Sequence, residues 1–171
     1  MPGAEPLQSS DLRLLSEMER HGRASVQELA EAVGMSTSTC WRRIREYEAR
    51  GLIKGYRATL DAEALGLEFH ALVQVYLARH DPGGLDSFVE AVLRQPEVLD
   101  CYATTGDADY HLRICCRNKR AYYRFLEDFL FRIPVVTKAT TNLILREIKR
   151  DAPLPLGETQ DPQTAAPHRL D

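Results

Sequence analysis

The chain has 171 residues, a formal net charge of −3, 44% hydrophobic residues and 27% charged residues. This balance is typical of a globular protein, and the length suffices for one large domain or two small ones. No apolar run approaches the ~18 residues of a transmembrane helix, so we expect no membrane partner. Residues 1–10 lack the basic and apolar regions of a secretory signal, so we expect a cytoplasmic protein.

The charge is unevenly distributed along the chain. Residues 1–60 carry 9 Lys and Arg against 8 Asp and Glu, although the whole chain is acidic. Within this part Arg42, Arg43 and Arg45 form a basic cluster. The cluster favours a nucleic-acid partner, while the overall charge argues weakly against one.

The four cysteines are Cys40, Cys101, Cys115 and Cys116. None belongs to a C-x-x-C pair, and no His pair has zinc-finger spacing. We therefore expect reduced and mostly buried thiols, with no metal site and no cofactor.

Two helices are predicted at 11–20 and 26–33. Asp11 is a suitable N-terminal carboxylate for the first. Ser25 and Glu28 have capping-box spacing at the start of the second, and Gly34 ends it. The second helix, a short turn that contains Gly34 and the third helix described next are typical of a helix-turn-helix.

The third helix is predicted from Ser36 to Arg50. Its inner stripe is Cys40, Ile44 and Tyr47, with Trp41 packing at the edge of that stripe. Hydroxyl side chains and Arg on the outer face fit a recognition helix in the major groove. The candidate DNA-binding residues are Ser36, Thr37, Ser38, Thr39, Arg42, Arg43 and Arg45. A hairpin or wing is predicted at 52–60.

The second half alternates strands with helices. Strands are predicted at 69–78, 98–105, 109–116 and 135–148. One helix begins near Pro82, with Leu85, Phe88, Val89, Val92 and Leu93 at helical spacing. Another is capped by Asn118, and its predicted core aromatic residues are Tyr122, Tyr123, Phe125 and Phe129. The order βαββαβ predicts a ferredoxin-like domain and an α+β fold.

In such a domain the helices cover one face of the antiparallel sheet. The other face needs a partner, and a second copy is the simplest one, giving a two-fold dimer. The predicted domains are 1–60, for DNA binding, and 61–150, for ligand binding and oligomerisation. The Pro-rich tail, 151–171, is predicted to be disordered.

Three segments carry a resemblance to a known family. They are the D-x-x-L-L run at Asp11, the stretch VGMSTSTCWRRIREYEARGLIKGY at 33–56, and TTGDADYHLRI at 104–114, which is similar to a G-D-x-D-Y signature. Their order and spacing resemble the Lrp/AsnC family of feast/famine, leucine-responsive regulators over about residues 7–150.

The resemblance implies a winged helix-turn-helix domain followed by a RAM (regulator of amino-acid metabolism, ACT-like) domain. It implies a regulator of transcription that binds double-stranded DNA, forms dimers and often octamers, and responds to an amino-acid effector. The family's effector pocket lies between subunits near the signature turn. Carried over to this chain, the effector-binding residues are Thr104, Thr105, Gly106, Asp107, Asp109 and Tyr110.

Several alternatives stay open. The signature turn can be a plain tight hairpin, and the Arg cluster can be a solvated face paired with Glu46 and Glu48. Asp107, Asp109 and His111 give a weak metal or acid–base pattern, so we expect no catalytic residues. An enzyme similar to the sirohaem decarboxylases would use His70, His111 and Arg113. An architectural DNA-binding protein without an effector is the third possibility.

Overall fold

A computed structural model describes residues 7–78 and 83–156. The chain forms two compact units. One comprises the described residues up to Thr59 and from Lys149 onward, and the other is Leu60–Ile148. The predicted helix start at Pro82 and residues 157–171 of the predicted tail lie outside the described residues. No helix in the described part of the chain is long and apolar enough to cross a membrane.

The first unit contains the three predicted helices: α1 (Ser9–Arg20), α2 (Val26–Val33) and α3 (Thr37–Ala49). The predicted capping box is confirmed, since Ser25 Oγ accepts from the Glu28 N–H at 3.2 Å and Glu28 accepts from the Ser25 N–H at 2.6 Å. Gly34 ends α2 with φ +70°, a left-handed conformation that favours glycine. Local capping thus fixes both ends of α2.

The core of this unit lies between the three helices. Cys40, Ile44 and Tyr47 of α3 are buried, which confirms the predicted inner stripe. They pack in one cluster with Leu14, Leu29 and Ala30. The inner side of α3 is therefore fixed by apolar burial, and its opposite side is left to solvent.

Two segments at the edges of this unit differ from the prediction. Residues 54–60 belong to no strand, so the hairpin predicted at 52–60 is wrong. The Leu154 N–H donates to the Glu19 carboxylate at 3.0 Å. Residues 151–156 of the predicted disordered tail therefore include a contact with α1.

The second unit is a four-stranded antiparallel sheet in the order β2-β3-β1-β4. The strands are β1 (Phe69–Leu77), β2 (Val98–Ala103), β3 (Tyr110–Cys116) and β4 (Val136–Leu143). The helices are α4 (Gly84–Arg94), between β1 and β2, and α5 (Lys119–Arg124), between β3 and β4. The ferredoxin-like βαββαβ prediction is confirmed.

One face of this sheet forms the second core. Ala71, Val73 and Val75 of β1 are fully buried and alternate with residues of the other face. They pack with Phe88 and Val92 of α4, and with buried residues of β3 and of the chain after it: Leu112, Ile114, Cys116, Tyr122, Phe125, Leu130, Ile133 and Val135.

The helices bury less than their sequences predict. In α4 only Phe88 and Val92 of the five apolar residues at helical spacing are buried, because the sheet contacts one side of the helix. Leu85, Val89 and Leu93 are exposed. Tyr123 is also exposed, with the Lys119 ammonium 5.7 Å from its ring centroid.

Two elements of the second unit have unexpected shapes or lengths. After α5 the chain continues as a π-helical turn, Phe125–Phe129, and a 3-10 turn, Leu130–Arg132. Strand β4 ends at Leu143 rather than at 148. Its neighbour β1 begins at Phe69, and the Ile144 N–H makes the last bond across, to the His70 carbonyl at 3.0 Å. Later residues lie past the end of the partner strand.

Within this unit, the helical residues of the core pack on the first face of the sheet and leave the second face open. Strand pairing sets Leu72 beside Arg113 and Asn142, and Gln74 beside His111 and Thr140. Leu72 and Tyr102 are exposed on this open face. Its surface is mixed in character, with two large apolar side chains among polar ones.

Candidate nucleic-acid interface and ligand site

Hydroxyl side chains surround the N-terminus of α3. Ser36 is the N-cap: its Oγ accepts from the Thr39 N–H at 3.3 Å and donates to Thr39 Oγ1 at 2.8 Å. Ser38 Oγ lies 3.2 Å from Ser36 Oγ. Ser36, Thr37 and Ser38 are exposed and Thr39 is half-buried. The turn that begins the helix therefore offers small polar groups to whatever approaches it.

Arg42 and Arg45 stand on the outer face of α3, and each side chain is 67% exposed. Arg42 lies 3.8 Å from Glu46, and Arg45 lies 3.6 Å from Glu48. Exposed pairs of this kind contribute only ~0–1 kcal/mol, so either guanidinium can exchange its partner for a phosphate or a base edge at little cost. The solvated, Glu-paired arrangement and an anion-binding role are compatible.

Arg43 does not share this outer face. Its guanidinium is ion-paired with the Asp11 carboxylate and donates to Ser10 Oγ at 2.9 Å. The Tyr47 hydroxyl donates to the same carboxylate at 2.5 Å. Of the predicted DNA-contacting residues, Arg43 is therefore placed apart from the outer face: its side chain reaches α1, and its charge is paired inside the unit.

These contacts shift the pKa values of Asp11, which is partly buried, and of Tyr47, which is buried. Burial alone would raise the pKa of Asp11, but the hydrogen bonds from Tyr47 and the Gln8 N–H, together with Arg43, outweigh it and lower the pKa. Burial, and then the hydrogen bond to Asp11, raise the pKa of Tyr47 to about 12. The network is thus a carboxylate held charged by a guanidinium and a neutral phenol.

Trp41 is the residue whose placement differs most from expectation on this helix. Its side chain is 57% exposed, so the prediction that it packs at the edge of the inner stripe is wrong. The Arg45 Cζ atom lies 5.9 Å from the centroid of its ring system. Trp41 and Arg45, one turn apart, therefore form a cation–π pair on the outer side of α3.

The turn between β2 and β3 is held by hydrogen bonds to β1. Asp109 Oδ2 accepts from the Leu77 N–H at 2.8 Å, and the Asp109 N–H donates to the Val75 carbonyl at 3.1 Å. Asp107 Oδ2 accepts from the Tyr76 hydroxyl at 3.0 Å. Gly106 has φ +140°, which favours glycine. Six residues, 104–109, join the two strands, and the polar groups of this turn reach the surface.

The six predicted effector residues do not all lie at the surface. Five are exposed at the turn: Thr104, Thr105, Gly106, Asp107 and Asp109. Tyr110 pairs with Val75 and therefore faces the core, where its ring lies 4.8 Å from the ring of Phe88. Tyr110 therefore packs on the core side of β3, whereas the other five residues lie at the surface.

Four of the five alternative catalytic or metal-binding groups, His70, Arg113, Asp109 and Asp107, have partners within this unit. His70 Nε2 lies 2.9 Å from the Leu67 carbonyl oxygen, and Arg113 is ion-paired with Asp100. Asp109 is bonded to the β1 backbone and Asp107 to Tyr76. No group of three or more His, Cys, Asp or Glu side chains in the described ranges could hold a metal ion.

Comparison with known families gives two matches along the chain. Residues 7–54 match a winged helix-turn-helix DNA-binding model, and residues 70–154 match the Lrp/AsnC ligand-binding domain. The glutamate uptake regulatory protein of Zymomonas mobilis is 34% identical over 155 residues, which cover 91% of this chain and 94% of that protein. The chain belongs to the Lrp/AsnC family of transcriptional regulators.

Other relatives of this Lrp/AsnC regulator also match it over most of its length. The leucine-responsive regulatory protein of Escherichia coli K12 is 33% identical over 149 residues, covering 87% of this chain and 90% of that protein. A transcriptional regulator from Neisseria meningitidis, solved in complex with L-Met, has a TM-score of 0.85 and 32% identity, covering 88% of this chain and 97% of that one. The protein is therefore a regulator with a DNA-binding domain and a ligand-binding domain.

Two features of the candidate interface were missed from the sequence. Trp41 directly follows the buried Cys40 and lies at the edge of the inner stripe. Whether a side chain at that edge is covered depends on how far the neighbouring helices extend. The link between Asp11 and Arg43 joins residues 32 positions apart. A carboxylate early in one helix and a guanidinium at the inner edge of another were the only sequence signals for it.

Proposed function

We propose that this Lrp/AsnC regulator reads its operator through the outer face of α3. The DNA-contacting residues are then Ser36, Thr37, Ser38, Thr39, Arg42 and Arg45. Arg43 acts as a positioning residue that ties α3 to α1. The observation that carries the proposal is the exposure of the Arg42 and Arg45 guanidinium groups on a helix whose other side is closed by its core.

The chemistry of this face suits a major groove. Small hydroxyl residues in the first turn permit close approach, and serine or threonine can bond phosphates or base edges. Arginine one and two turns further on can bond guanine or a phosphate.

The effector we propose is an amino acid held at the turn between β2 and β3. The relatives support this class, since one is named leucine-responsive and another was solved with L-Met. Carboxylates such as Asp107 suit an ammonium group, and the backbone N–H groups beside Gly106 suit a carboxylate. Asp109 and Tyr110 then hold the turn in shape, while Thr104 and Thr105 line its edge.

The open face of the sheet is the proposed dimer surface. Exposed Leu72 and Tyr102 give it apolar area, and a two-fold pairing of copies would bury it. Dimers can assemble further to an octamer, and an effector bound between subunits would shift the population of assemblies. A change of assembly would alter the distance between the α3 helices of the two subunits on DNA. We place the protein in the cytoplasm and assign it no catalytic role.

A mobility-shift titration at several salt concentrations tests the DNA interface. Arg42→Ala should weaken operator binding and, if the residue contacts a phosphate, lower the salt slope by about one unit. Arg94→Ala is a matched control, because Arg94 is also an exposed arginine paired with a glutamate four residues away, Glu90. Equal affinity of the two variants for the operator would contradict the proposed interface.

A thermal-shift panel of the common amino acids tests the sensing role. A ligand that binds only the native state at 100 times its Kd stabilises that state by about 2.7 kcal/mol. We expect at least one amino acid to raise the Tm, and the same one to change operator affinity or assembly size. A panel that changes none of the three would contradict an amino-acid effector and favour an architectural role.

A further inference from the structure

The exposed Trp41 is the chain's single tryptophan. We propose that it is a specificity-determining residue, whose indole contacts the C5-methyl group of a thymine in the major groove. The inference rests on the proposed DNA interface and deepens it by naming what one side chain of that interface reads. It concerns apolar recognition, whereas the arginine residues supply hydrogen bonds and charge.

The core of the first unit is complete without this side chain. Cys40, Ile44 and Tyr47 fill the inner side of α3, and Trp41 is not among the apolar residues packed against that cluster. An indole left 57% exposed keeps a large apolar area in water. Covering such an apolar area with a partner is favourable, because it removes the area from water.

The neighbours of Trp41 on the helix indicate which partner would cover the indole. Residues three and four apart share one side of a helix, so Trp41 lies between Thr37 and Ser38 on one turn and Arg45 on the next. All three neighbours are in the proposed DNA-contacting set. The Arg45 guanidinium lies over the indole at cation–π distance, with its Cζ atom 5.9 Å from the centroid of the ring system.

The major groove limits what an indole can contact. The flat faces of paired bases are stacked on one another and cannot be reached without distorting the duplex. The base edges offer hydrogen-bonding groups and one apolar group, the thymine methyl. An indole has a single donor and is otherwise apolar, so the methyl is the base group that it complements best.

The test begins with the full-length protein and a randomised duplex pool. Sites selected by the wild type are resynthesised with deoxyuridine replacing one thymine at a time, which removes the methyl and keeps the pairing. At one thymine per half-site we expect an affinity loss of about fourfold, the value of one buried methyl. Trp41→Ala should show no such loss at that position, while Arg42→Ala should bind more weakly but keep the discrimination.

Tryptophan fluorescence gives a second reading without any substitution. Because Trp41 is the chain's single tryptophan, its emission should change when the selected duplex is added. The change should be smaller with the uracil duplex at equal saturation. Emission that changes when the oligomer is diluted but not when DNA binds would overturn the proposal, since it would assign the indole to a contact between copies.

The outcomes separate this inference from the proposed function. If the wild type selects a site but no uracil replacement weakens its binding, the methyl contact is wrong and the DNA interface stands. If Arg42→Ala and Trp41→Ala both bind the selected duplex like the wild type, the interface itself is wrong. Circular dichroism of Trp41→Ala should match the wild type, because the side chain lies outside the core.

Discussion

The guanidinium of Arg43 in α3 is ion-paired with the carboxylate of Asp11 in α1. The pair is mostly shielded from solvent, with side-chain exposures of 22% and 14%. Ser10 and Tyr47 add hydrogen bonds to its two members. Since α3 carries the proposed DNA-contacting side chains, this contact fixes their helix relative to the rest of its domain.

Loss of this contact should destabilise the domain. Arg43→Ala leaves the Asp11 carboxylate without its counter-ion, so we expect the free energy of unfolding to fall by about 1–3 kcal/mol. Urea unfolding followed by circular dichroism measures it. Arg42→Ala is the control, since an exposed substitution should stay within about 0.5 kcal/mol. Similar stabilities for the two variants would refute the role assigned to Arg43.

The same network predicts an acid-sensitive component of stability. The pKa of Asp11 lies below its ordinary value of 3.8, so the folded state favours the charged carboxylate. The stabilisation is therefore fully present above the unfolded pKa and is lost as the pH falls through the lowered folded pKa.

Asp11→Asn removes that titrating group. The difference in unfolding free energy between wild type and Asp11→Asn should be largest near neutral pH and shrink below about pH 4. Urea titrations at a series of pH values check it. A difference that stays constant across the series would mean that the carboxylate has the same pKa in the folded and unfolded chains.

Substitutions of the two aspartates in the signature turn should differ in their effects on stability and on effector binding. Pairing between β1 and β4 shifts register at Tyr76 and Leu77, and the Asp109 carboxylate accepts the Leu77 N–H beside that irregularity. Asp109→Ala should therefore lower the free energy of unfolding by about 1–3 kcal/mol. Asp107→Ala loses one exposed bond from Tyr76 and should cost under about 0.5 kcal/mol.

Effector response distinguishes the same variants. Asp107→Ala should keep its fold but lose the thermal shift that the active amino acid gives the wild type. A full shift in Asp107→Ala would exclude its carboxylate from effector binding. Asp109→Ala with wild-type stability would show that another group satisfies the Leu77 N–H.

Thiol reactivity should single out one cysteine. Cys101 in β2 is exposed, whereas Cys40, Cys115 and Cys116 are buried. A colorimetric disulfide reagent should modify one thiol per native chain quickly and all four after unfolding. Partial burial raises the pKa of Cys101, so the fast phase should be slower than that of a small free thiol. Cys101→Ser should abolish the fast phase; if it persists, another cysteine is accessible.

The sequence by itself determined the elements and their order. Capping at Ser25 and Asn118, and the ends set by residues such as Gly34, depend on contacts within a few positions, so they could be read locally. The alternation of β1 and the inner stripe of α3 follow from the fixed geometry of strand and helix. The outer placement of Arg42 and Arg45 followed from the same geometry.

The tertiary structure decided which side chains remain uncovered and which charges pair. Five apolar residues of α4 looked equivalent, but the sheet meets one side of the helix and buries Phe88 and Val92. Trp41 is exposed because its neighbours close the core without it, and Arg43 turns inward because Asp11 lies within its reach. Such outcomes depend on the spacing between elements, which local periodicity does not contain.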